Sequence, residues 1–511
     1  MPLKFKKVMI ANRGEIAVRV IRSCREMGIR TVAVYSDADE TAPHVMMADE
    51  AYHIGGSQAK DSYLRMDVII ETALKASVDA IHPGYGFLSE NADFVDAVTA
   101  AGMVFIGPPG SAMRSMGSKT QARRVMIDAD VPVVPGDKTG LESDEEAYAS
   151  ARNIGYPVLI KAAMGGGGKG MRVVRAEEDL IDSMNAAKRE ALSGFGDDEV
   201  YLEKFIEGPR HIEIQVLADT QGNCIHLYER ECSIQRRHQK VIEEAPSPAL
   251  ETLPEVREAM GKAAVQAAKA CGYVNAGTVE FLFDPETSDF YFLEMNTRLQ
   301  VEHPVTEFVT GLDLVREMLL IAQGHPLTIE QSDVCHTGHS IECRISAEDP
   351  STGFLPDAGT ISGLNRPDGP WVRVDSGVTN GSEVGVYYDP LVAKLVVWGP
   401  TRESAIRRMH RALSEYRVSG IKTTIPFAKL VMEHPRFISG DFDTRFIEQE
   451  YQGKPEINPP EEAIQAAMIA LALYERDQAH KSNFASNSDS GPSSNGKSNV
   501  WKMAGKQAGM R

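Results

Sequence analysis

Two carboxylates placed to share one cation are the most chemically specific feature of the sequence. The stretches Gly277-Thr278-Val279-Glu280-Phe281-Leu282-Phe283-Asp284 and Phe290-Tyr291-Phe292-Leu293-Glu294-Met295-Asn296 read as two strands joined by a turn from Pro285 to Asp289. If Asp284 pairs with Phe290, Leu282 faces Phe292 and Glu280 faces Glu294 on the same side of the sheet. Like charges so opposed are unfavourable without a cation between them, and Mg²⁺ favours one or two carboxylates together with ATP phosphates. Asn296, two residues on, shares that face. The competing reading is a solvated acidic face, which the aromatic and aliphatic neighbours make the weaker one.

Immediately after this hairpin comes Thr297-Arg298-Leu299-Gln300-Val301-Glu302-His303-Pro304. A second substrate beside a terminal phosphate needs a cation and an amide to hold an anion, and a base to ready it for attack. Arg298, Gln300 and Glu302 offer all three, although Arg298 and Glu302 could equally form a plain ion pair at a strand exit. Upstream, Pro157-Val158-Leu159-Ile160-Lys161 leads into Met164-Gly165-Gly166-Gly167-Gly168-Lys169-Gly170 and out through Met171-Arg172-Val173-Val174. That is a hairpin with a glycine-rich tip, whose backbone N–H groups can close over phosphate oxygens while Lys161 and Lys169 add positive charge. A Walker reading fails, because Gly170 stands where Ser or Thr is required and a strand follows where a helix should. The basic run Gln235-Arg236-Arg237-His238-Gln239-Lys240 suits a triphosphate or bicarbonate in a chain this acidic. His211, taken alone, reads as a structural histidine.

The elements that must position these groups fall into a recognisable order. Lys7-Val8-Met9-Ile10-Ala11, Thr31-Val32-Ala33-Val34-Tyr35, Ala80-Ile81-His82 and Val104-Phe105-Ile106 read as strands separated by helical patterns, the first helix ending at Gly28. Alternation of this kind predicts a parallel, doubly wound sheet. No dinucleotide glycine fingerprint follows the first strand, so the Rossmann-like shape does not imply NAD. From about Lys119 to residue 335 lie the strands and hairpins that carry the chemistry, and from His336 to Phe446 a third, mixed region ends in a helix around Ser404 to Tyr416. Beyond Tyr451, Ala463 to Leu473 has only Gln465 as a polar residue, which is too apolar for a free surface helix and predicts docking. Lys481 to Asn499 reads as a flexible linker, and Val500-Trp501-Lys502-Met503 as either a docking tag or a frayed end.

Composition sets outer limits. With 511 residues and 42% hydrophobic content the chain is long enough for about two to four domains with ordinary cores. A formal charge of −18 argues against a nucleic-acid or anionic-membrane surface. Its six cysteines show no CxxC pair and no zinc-ligand spacing. No apolar run approaches the roughly 18 residues of a membrane span and no signal-peptide core stands at the start, so a reducing, cytoplasm-like compartment is expected.

Several long strings together resemble the biotin carboxylase family: Ala11-Asn12-Arg13-Gly14-Glu15, His82-Pro83-Gly84-Tyr85-Gly86-Phe87-Leu88-Ser89-Glu90-Asn91, the glycine-rich tip, Arg236-Arg237-His238-Gln239-Lys240, Glu294 through Pro304, and Glu342-Cys343-Arg344. The resemblance spans roughly residues 3 to 447. It implies an α/β chain with a Rossmann-like N-terminal domain (1–118), an ATP-grasp domain (119–335, with a mobile glycine-lid subdomain at about 133–205), a mixed α+β C-terminal domain (336–447) and a tail (448–511).

The resemblance also assigns roles to residues. Lys119, Lys161, Gly166, Gly167, His211, Gln235, His238 and Leu282 would contact ATP, with Glu203, Lys204 and Ile206 as the adenine hinge. Glu280, Glu294 and Asn296 would hold Mg²⁺ (or Mn²⁺). Lys240, Arg298, Gln300 and the Val301 backbone would bind bicarbonate, Glu302 would be the base, and Arg344 would stabilise the biotin enolate. Lys169 stands where many members have arginine, which keeps the charge and loses the planar fork.

No Ala-Met-Lys-Met-like string occurs, so the biotin is expected on a separate carrier protein or domain, with a carboxyltransferase subunit as a further partner. The resemblance implies a homo-oligomer, a dimer, although no residue pattern fixes it. It leans to an acyl-CoA acceptor, partly through Tyr387-Tyr388-Asp389-Pro390. A two-subunit pyruvate carboxylase component and an ATP-grasp carboxylate–amine ligase are the alternatives.

Overall fold

The computed structural model describes residues 4–137, 141, 143–162, 171–195, 198–237, 239–452 and 461–486. The chain divides into two compact units, Met1–Pro455 and Glu456–Arg511.

The first unit opens with the expected parallel sheet. Its strand order is Glu50–Gly55, Arg30–Ser36, Lys7–Ile10, Ala80–His82, Val104–Phe105, with every neighbouring pair parallel. Val8, Met9 and Ile10 are fully buried on both faces of the central strand, which is why that segment reads as a continuous apolar run rather than an alternating one. The order reverses at this strand, so the loops after it and after Ala80–His82 open a crevice at their carboxyl ends. Asn12 bridges the two loops, its Nδ2 donating to Pro83 O at 2.7 Å and Tyr85 O at 2.8 Å. Gly84 sits at φ +64°, and a Cβ there would meet Asn12 Nδ2 at 2.9 Å, so this loop needs glycine.

A three-stranded antiparallel sheet, Arg172–Val174, Val158–Ala162 and Val200–Lys204, carries the glycine-rich hairpin. Helices Asp144–Ile154 and Leu180–Phe195 cover it through Ala147, Ala151, Leu180, Met184 and Ala187. The hairpin tip itself, with Gly166, Gly167 and Lys169, lies outside the described residues.

The main sheet has eight antiparallel strands in the order Phe290–Asn296, Asn275–Phe283, Arg210–Ala218, Cys224–Arg236, Gln239–Ala245, His339–Ser346, Leu391–Gly399, Val372–Ser376. It runs without a break across residue 335, so the third region extends the same sheet. Strand Arg210–Ala218 shows how sequence period makes a site: Ile212, Ile214 and Val216 pack with helix Pro254–Ala270, while His211, Glu213 and Gln215 alternate with them on the other face. At the far end Ile242, Ile341, Cys343 and Ile345 pack with helices Arg402–Glu415 and Ile425–Glu433.

The Glu280/Glu294 hairpin keeps its expected outcome by a different register. Phe283 pairs with Phe290, Leu282 with Tyr291 and Phe281 with Phe292; a register shift then lets Glu280 pair with Glu294. Leu282 does not face Phe292. Leu293 is the extra residue of a bulge, and it returns Glu294 to the face of Glu280.

In the second unit the described part is one helix, Glu461–Ser486, on which Ile464, Met468, Ile469, Leu471, Leu473 and Tyr474 are exposed. Helix therefore continues through Lys481 to Ser486, where a flexible linker was expected; a helix nucleated in the Ala- and Leu-rich sequence from Glu461 propagates into this segment, since extension costs far less than nucleation. The Val500 to Met503 segment lies outside the described residues. Among the described residues no helix is long and apolar enough to cross a membrane, and all six cysteines are free.

Close backbone approach locks the first sheet's opening helix, Gly14–Glu26, to the strand Val372–Ser376 region: a Cβ on Gly377 would stand 2.6 Å from Glu15 N and 2.7 Å from Gly14 C. Replacing Gly377→Ala must separate the two backbones, and it is expected to cost about 1–3 kcal/mol in chemical denaturation. An unchanged denaturation midpoint would show that the contact is slack.

Candidate active site

Four strands deliver four charges in a single row. Arg230 pairs with Glu213, Glu213 with Glu280, and Glu280 with Glu294, so their side chains share one face of the main sheet. Arg230 is completely buried and uses every guanidinium N–H. Nε donates to Glu213 Oε1 at 2.5 Å, Nη1 to Gln215 Oε1 and Thr306 Oγ1, and Nη2 to Thr278 Oγ1 and Gln300 Oε1. A buried guanidinium is tolerated because all of its donors are satisfied.

Over this row lies the ammonium of Lys240. Its Nζ donates to Glu213 Oε2 at 2.5 Å, Glu280 Oε1 at 2.8 Å and Glu302 Oε1 at 2.8 Å. Burial opposes the charge on Lys240, but the three carboxylates outweigh it and hold its pKa well above the ordinary lysine value. Glu302 shows the converse: burial alone would raise it, and Lys240, Arg344 and Arg230 together hold it well below the usual carboxylate range. Glu302 is therefore ionised at neutral pH, the state a base requires, with its proton affinity suppressed while both cations face it.

The remaining expected residues converge on the same place. Arg344 donates through Nη2 to Glu302 Oε2 at 2.9 Å and through Nε to Glu243 Oε1 at 2.6 Å. Gln300 Nε2 and Asn296 Nδ2 both donate to Glu280 Oε1, at 2.9 and 2.8 Å. Arg298 pairs with Glu90 at 2.9 Å and reaches Asn296 Oδ1, so the plain Arg298–Glu302 ion pair does not form. Val301 O accepts from Lys394 Nζ at 2.7 Å. His211 Nε2 lies 2.9 Å from Glu280 Oε2; burial disfavours its charged form, but Glu280 outweighs it and the pKa is raised. Leu282 stands beside His211 across the adjacent strand, and Gln235 pairs with Lys240 near the end of its hairpin.

Toward the three-stranded sheet, Glu203 is buried and takes an ion pair from Lys161 and a longer one from Arg123 at 3.4 Å. Lys204 turns away, its Nζ donating to Gly155 O and Tyr156 O while its backbone N–H donates to Pro135 O at 2.7 Å; Ile206 is buried. Lys119 opens the helix Lys119–Asp128. Its side chain, like His238, lies outside what is described.

A divalent cation fits the oxygen set. Glu280 and Glu294 are directly opposed, Asn296 adds an amide oxygen on the same face, and Glu280 already serves as the shared anion of His211 and Lys240. His211, Glu213 and Glu280 also place ligand atoms within 4.8 Å of one another.

Glu213, Arg230, Glu243, Lys394 and Glu90 belong to the site and were not singled out from sequence. A usable signal existed for the first: His211, Glu213 and Gln215 alternate strictly with Ile212, Ile214 and Val216. For Glu243 and Lys394 the signal is three-dimensional, since their strands meet only through long-range pairing.

A three-stranded antiparallel sheet together with a larger antiparallel sheet that carries paired acidic residues is the arrangement of an ATP-grasp enzyme. The profile of the carbamoyl-phosphate synthase L chain ATP-binding domain matches residues 118–330, that of the biotin carboxylase N-terminal domain residues 4–113, and that of the biotin carboxylase C-terminal domain residues 342–449. Biotin carboxylase 1 of Bacillus subtilis is 55% identical over 443 residues, covering 87% of this chain and 98% of that protein. The propionyl-CoA carboxylase alpha chain of Ruegeria pomeroyi is 50% identical over 493 residues, covering 92% of this chain and 72% of that one. Among solved structures, the biotin carboxylase domain dimer of Hydrogenobacter thermophilus 2-oxoglutarate carboxylase, in complex with MgADP, ADP and bicarbonate, superposes with a TM-score of 0.81 at 50% identity, covering 89% of this chain and 99% of that one. The chain belongs to the biotin carboxylase family of ATP-dependent ligases.

Replacing Lys240→Met leaves Glu213, Glu280 and Glu302 buried without their shared cation. The variant is expected to lose about 3–5 kcal/mol at pH 7, measured by urea unfolding. Glu280 and Glu302 have depressed pKa values, so their contribution is present above the ordinary carboxylate range and is lost as pH falls through their folded values. In the variant those values rise, and the deficit relative to the native protein should shrink toward about pH 4. A pH-independent deficit would show that Lys240 contributes packing alone.

Proposed function

We propose that Glu302 takes the proton of bicarbonate while Lys240, Arg298, Gln300 and the Val301 backbone hold the anion, so that it attacks the γ-phosphate of ATP to give carboxyphosphate and ADP. One observation carries this reading: a single ammonium, Lys240 Nζ, touches both Glu280 on the phosphate side and Glu302 on the base side. Reacting partners held within one side chain's reach supply the orientation that phosphoryl transfer needs. Lys119, Lys161, His211, Gln235, His238 and Leu282, with Gly166 and Gly167 of the lid, are the ATP contacts, and Glu203, Lys204 and Ile206 the hinge. Glu280, Glu294 and Asn296 would hold Mg²⁺ (or Mn²⁺), which when bound offsets phosphate charge. Arg344, beside Glu302, faces the ureido oxygen of biotin, to which the carboxyl group passes.

The domain limits 1–118, 119–335 and 336–447 follow the same reading, with biotin arriving on a separate carrier and a carboxyltransferase completing the second half-reaction. An acyl-CoA acceptor is supported by the Ruegeria relative, whose match covers 92% of this chain and so extends past Pro455. A 2-oxo acid such as pyruvate is the second reading, favoured by the likeness to a 2-oxoglutarate carboxylase domain. A homodimer is supported by the dimer named for that structure.

ATP turnover by the purified chain, with Mg²⁺ and labelled bicarbonate, with and without free biotin, tests the reading. Biotin-stimulated ADP release with label entering biotin is expected. Turnover that ignores bicarbonate, or that needs an amine instead, would assign the chain to carboxylate–amine ligation.

A further inference from the structure

Behind Arg344 lies a pair of acids that the reaction does not use. Strands Gln239–Ala245 and His339–Ser346 place Glu243 directly opposite Glu342, and both side chains are fully buried. Opposed residues of an antiparallel pair have Cβ atoms about 5 Å apart, within reach of a carboxyl-to-carboxyl hydrogen bond. Glu243 Oε1 accepts from Arg344 Nε, whereas Glu243 Oε2 and both oxygens of Glu342 are buried and make no hydrogen bond among the described residues.

The surrounding cations are committed elsewhere. Arg344 serves Glu243 and Glu302, and Lys240 on the strand of Glu243 serves Glu213, Glu280 and Glu302. Lys394, opposite Arg344 on Leu391–Gly399, donates to Val301 O and lies 3.5 Å from Glu15 of the helix Gly14–Glu26. His303, at the start of the helix His303–Thr310, is buried and kept neutral, first by burial and then by Lys394. Among the described residues no cation hydrogen-bonds Glu342. Burial pushes Glu342 well above the ordinary carboxyl value against the pull of Lys394 and Arg344, with Glu243 and Glu302 adding to the rise, and burial pushes Glu243 up to about 7 against the pull of Arg344.

We propose that Glu342 is protonated and donates to the free Oε2 of Glu243, and that this shared proton makes Glu342 a positioning residue: it fixes Glu243, which in turn aims Arg344 at Glu302 and at biotin. With one proton between them, the acids present a single negative charge to Arg344. Loss of that proton at high pH puts a second charge behind the guanidinium and draws it back from Glu302. The proposal rests on the reading of Arg344 as the group that faces biotin.

Infrared difference spectra of the native chain and Glu342→Gln at pH 7 test the proton itself and need no turnover. The expected result is a protonated-carboxyl C=O band in the native chain that is missing from the variant. Absence of any such band difference would overturn the proposal. In turnover, Glu342→Leu removes the donor and should lower biotin-dependent kcat roughly ten- to hundredfold. Glu342→Gln, whose amide can donate to the same oxygen, should rescue it and flatten the alkaline limb of the native pH profile. Equal loss in both variants would also overturn the proposal. Failure of the native chain to carboxylate biotin would instead count against the assignment of Arg344, and leaves the infrared result standing as the test of the shared proton.

Discussion

The Lys240 ammonium, held between Glu213, Glu280 and Glu302, is the interaction on which the site depends. Its three carboxylates come from two strands of the main sheet and from the loop that leads into His303–Thr310, so one side chain ties the strand row to the segment that supplies the base. In a buried setting such a cluster is costly to assemble and more costly to break, because removal of one partner strands the others. Arg230 gives the row its other fixed point, and with all five N–H groups engaged it cannot swing toward a substrate. The three carboxylates that Lys240 joins also have other partners: Glu302 has Arg344, Glu280 has His211, Gln300 and Asn296, and Glu213 has Arg230.

Both cations that hydrogen-bond Glu302 are shared with other carboxylates, Lys240 with Glu213 and Glu280 and Arg344 with Glu243. Glu302 is held ionised by Lys240, Arg344 and Arg230. In the proposed reaction bicarbonate and phosphate would compete for Lys240 and Arg344, which would return proton affinity to Glu302. Elements of the first sheet reach the same region: Glu90, in the loop after Ala80–His82, holds Arg298, and Glu15, in the first turn of Gly14–Glu26, lies beside Lys394. Gly377, lacking a side chain, lets the backbones that carry Glu15 and Val372–Ser376 meet.

Much of this was legible in the residues. Alternation of strand and helix specified the parallel sheet, because strand pairing there follows chain order closely. The opposed Glu280 and Glu294 were legible too, but not the route to them: an expected register with Leu282 against Phe292 gave way to one offset by a bulge at Leu293, and bulges leave little trace in hydrophobic pattern. Glu213 could have been read from its strict alternation with isoleucines. Glu243, Glu342 and Lys394 could not, since their meeting depends on strands about 100 and about 50 residues apart in sequence joining one sheet. Composition misled at Lys481 to Ser486, where serine and asparagine suggested a linker and the chain remains helical.

The most direct test of the account is the fate of oxygen. With bicarbonate labelled uniformly with ¹⁸O, turnover by the native chain should transfer ¹⁸O into inorganic phosphate, as required if the anion held beside Lys240 and Glu302 attacks the γ-phosphate. Phosphate whose one new oxygen comes from solvent would mean that water is the nucleophile, and that the juxtaposition of Glu280 and Glu302 through Lys240 does not serve bicarbonate activation.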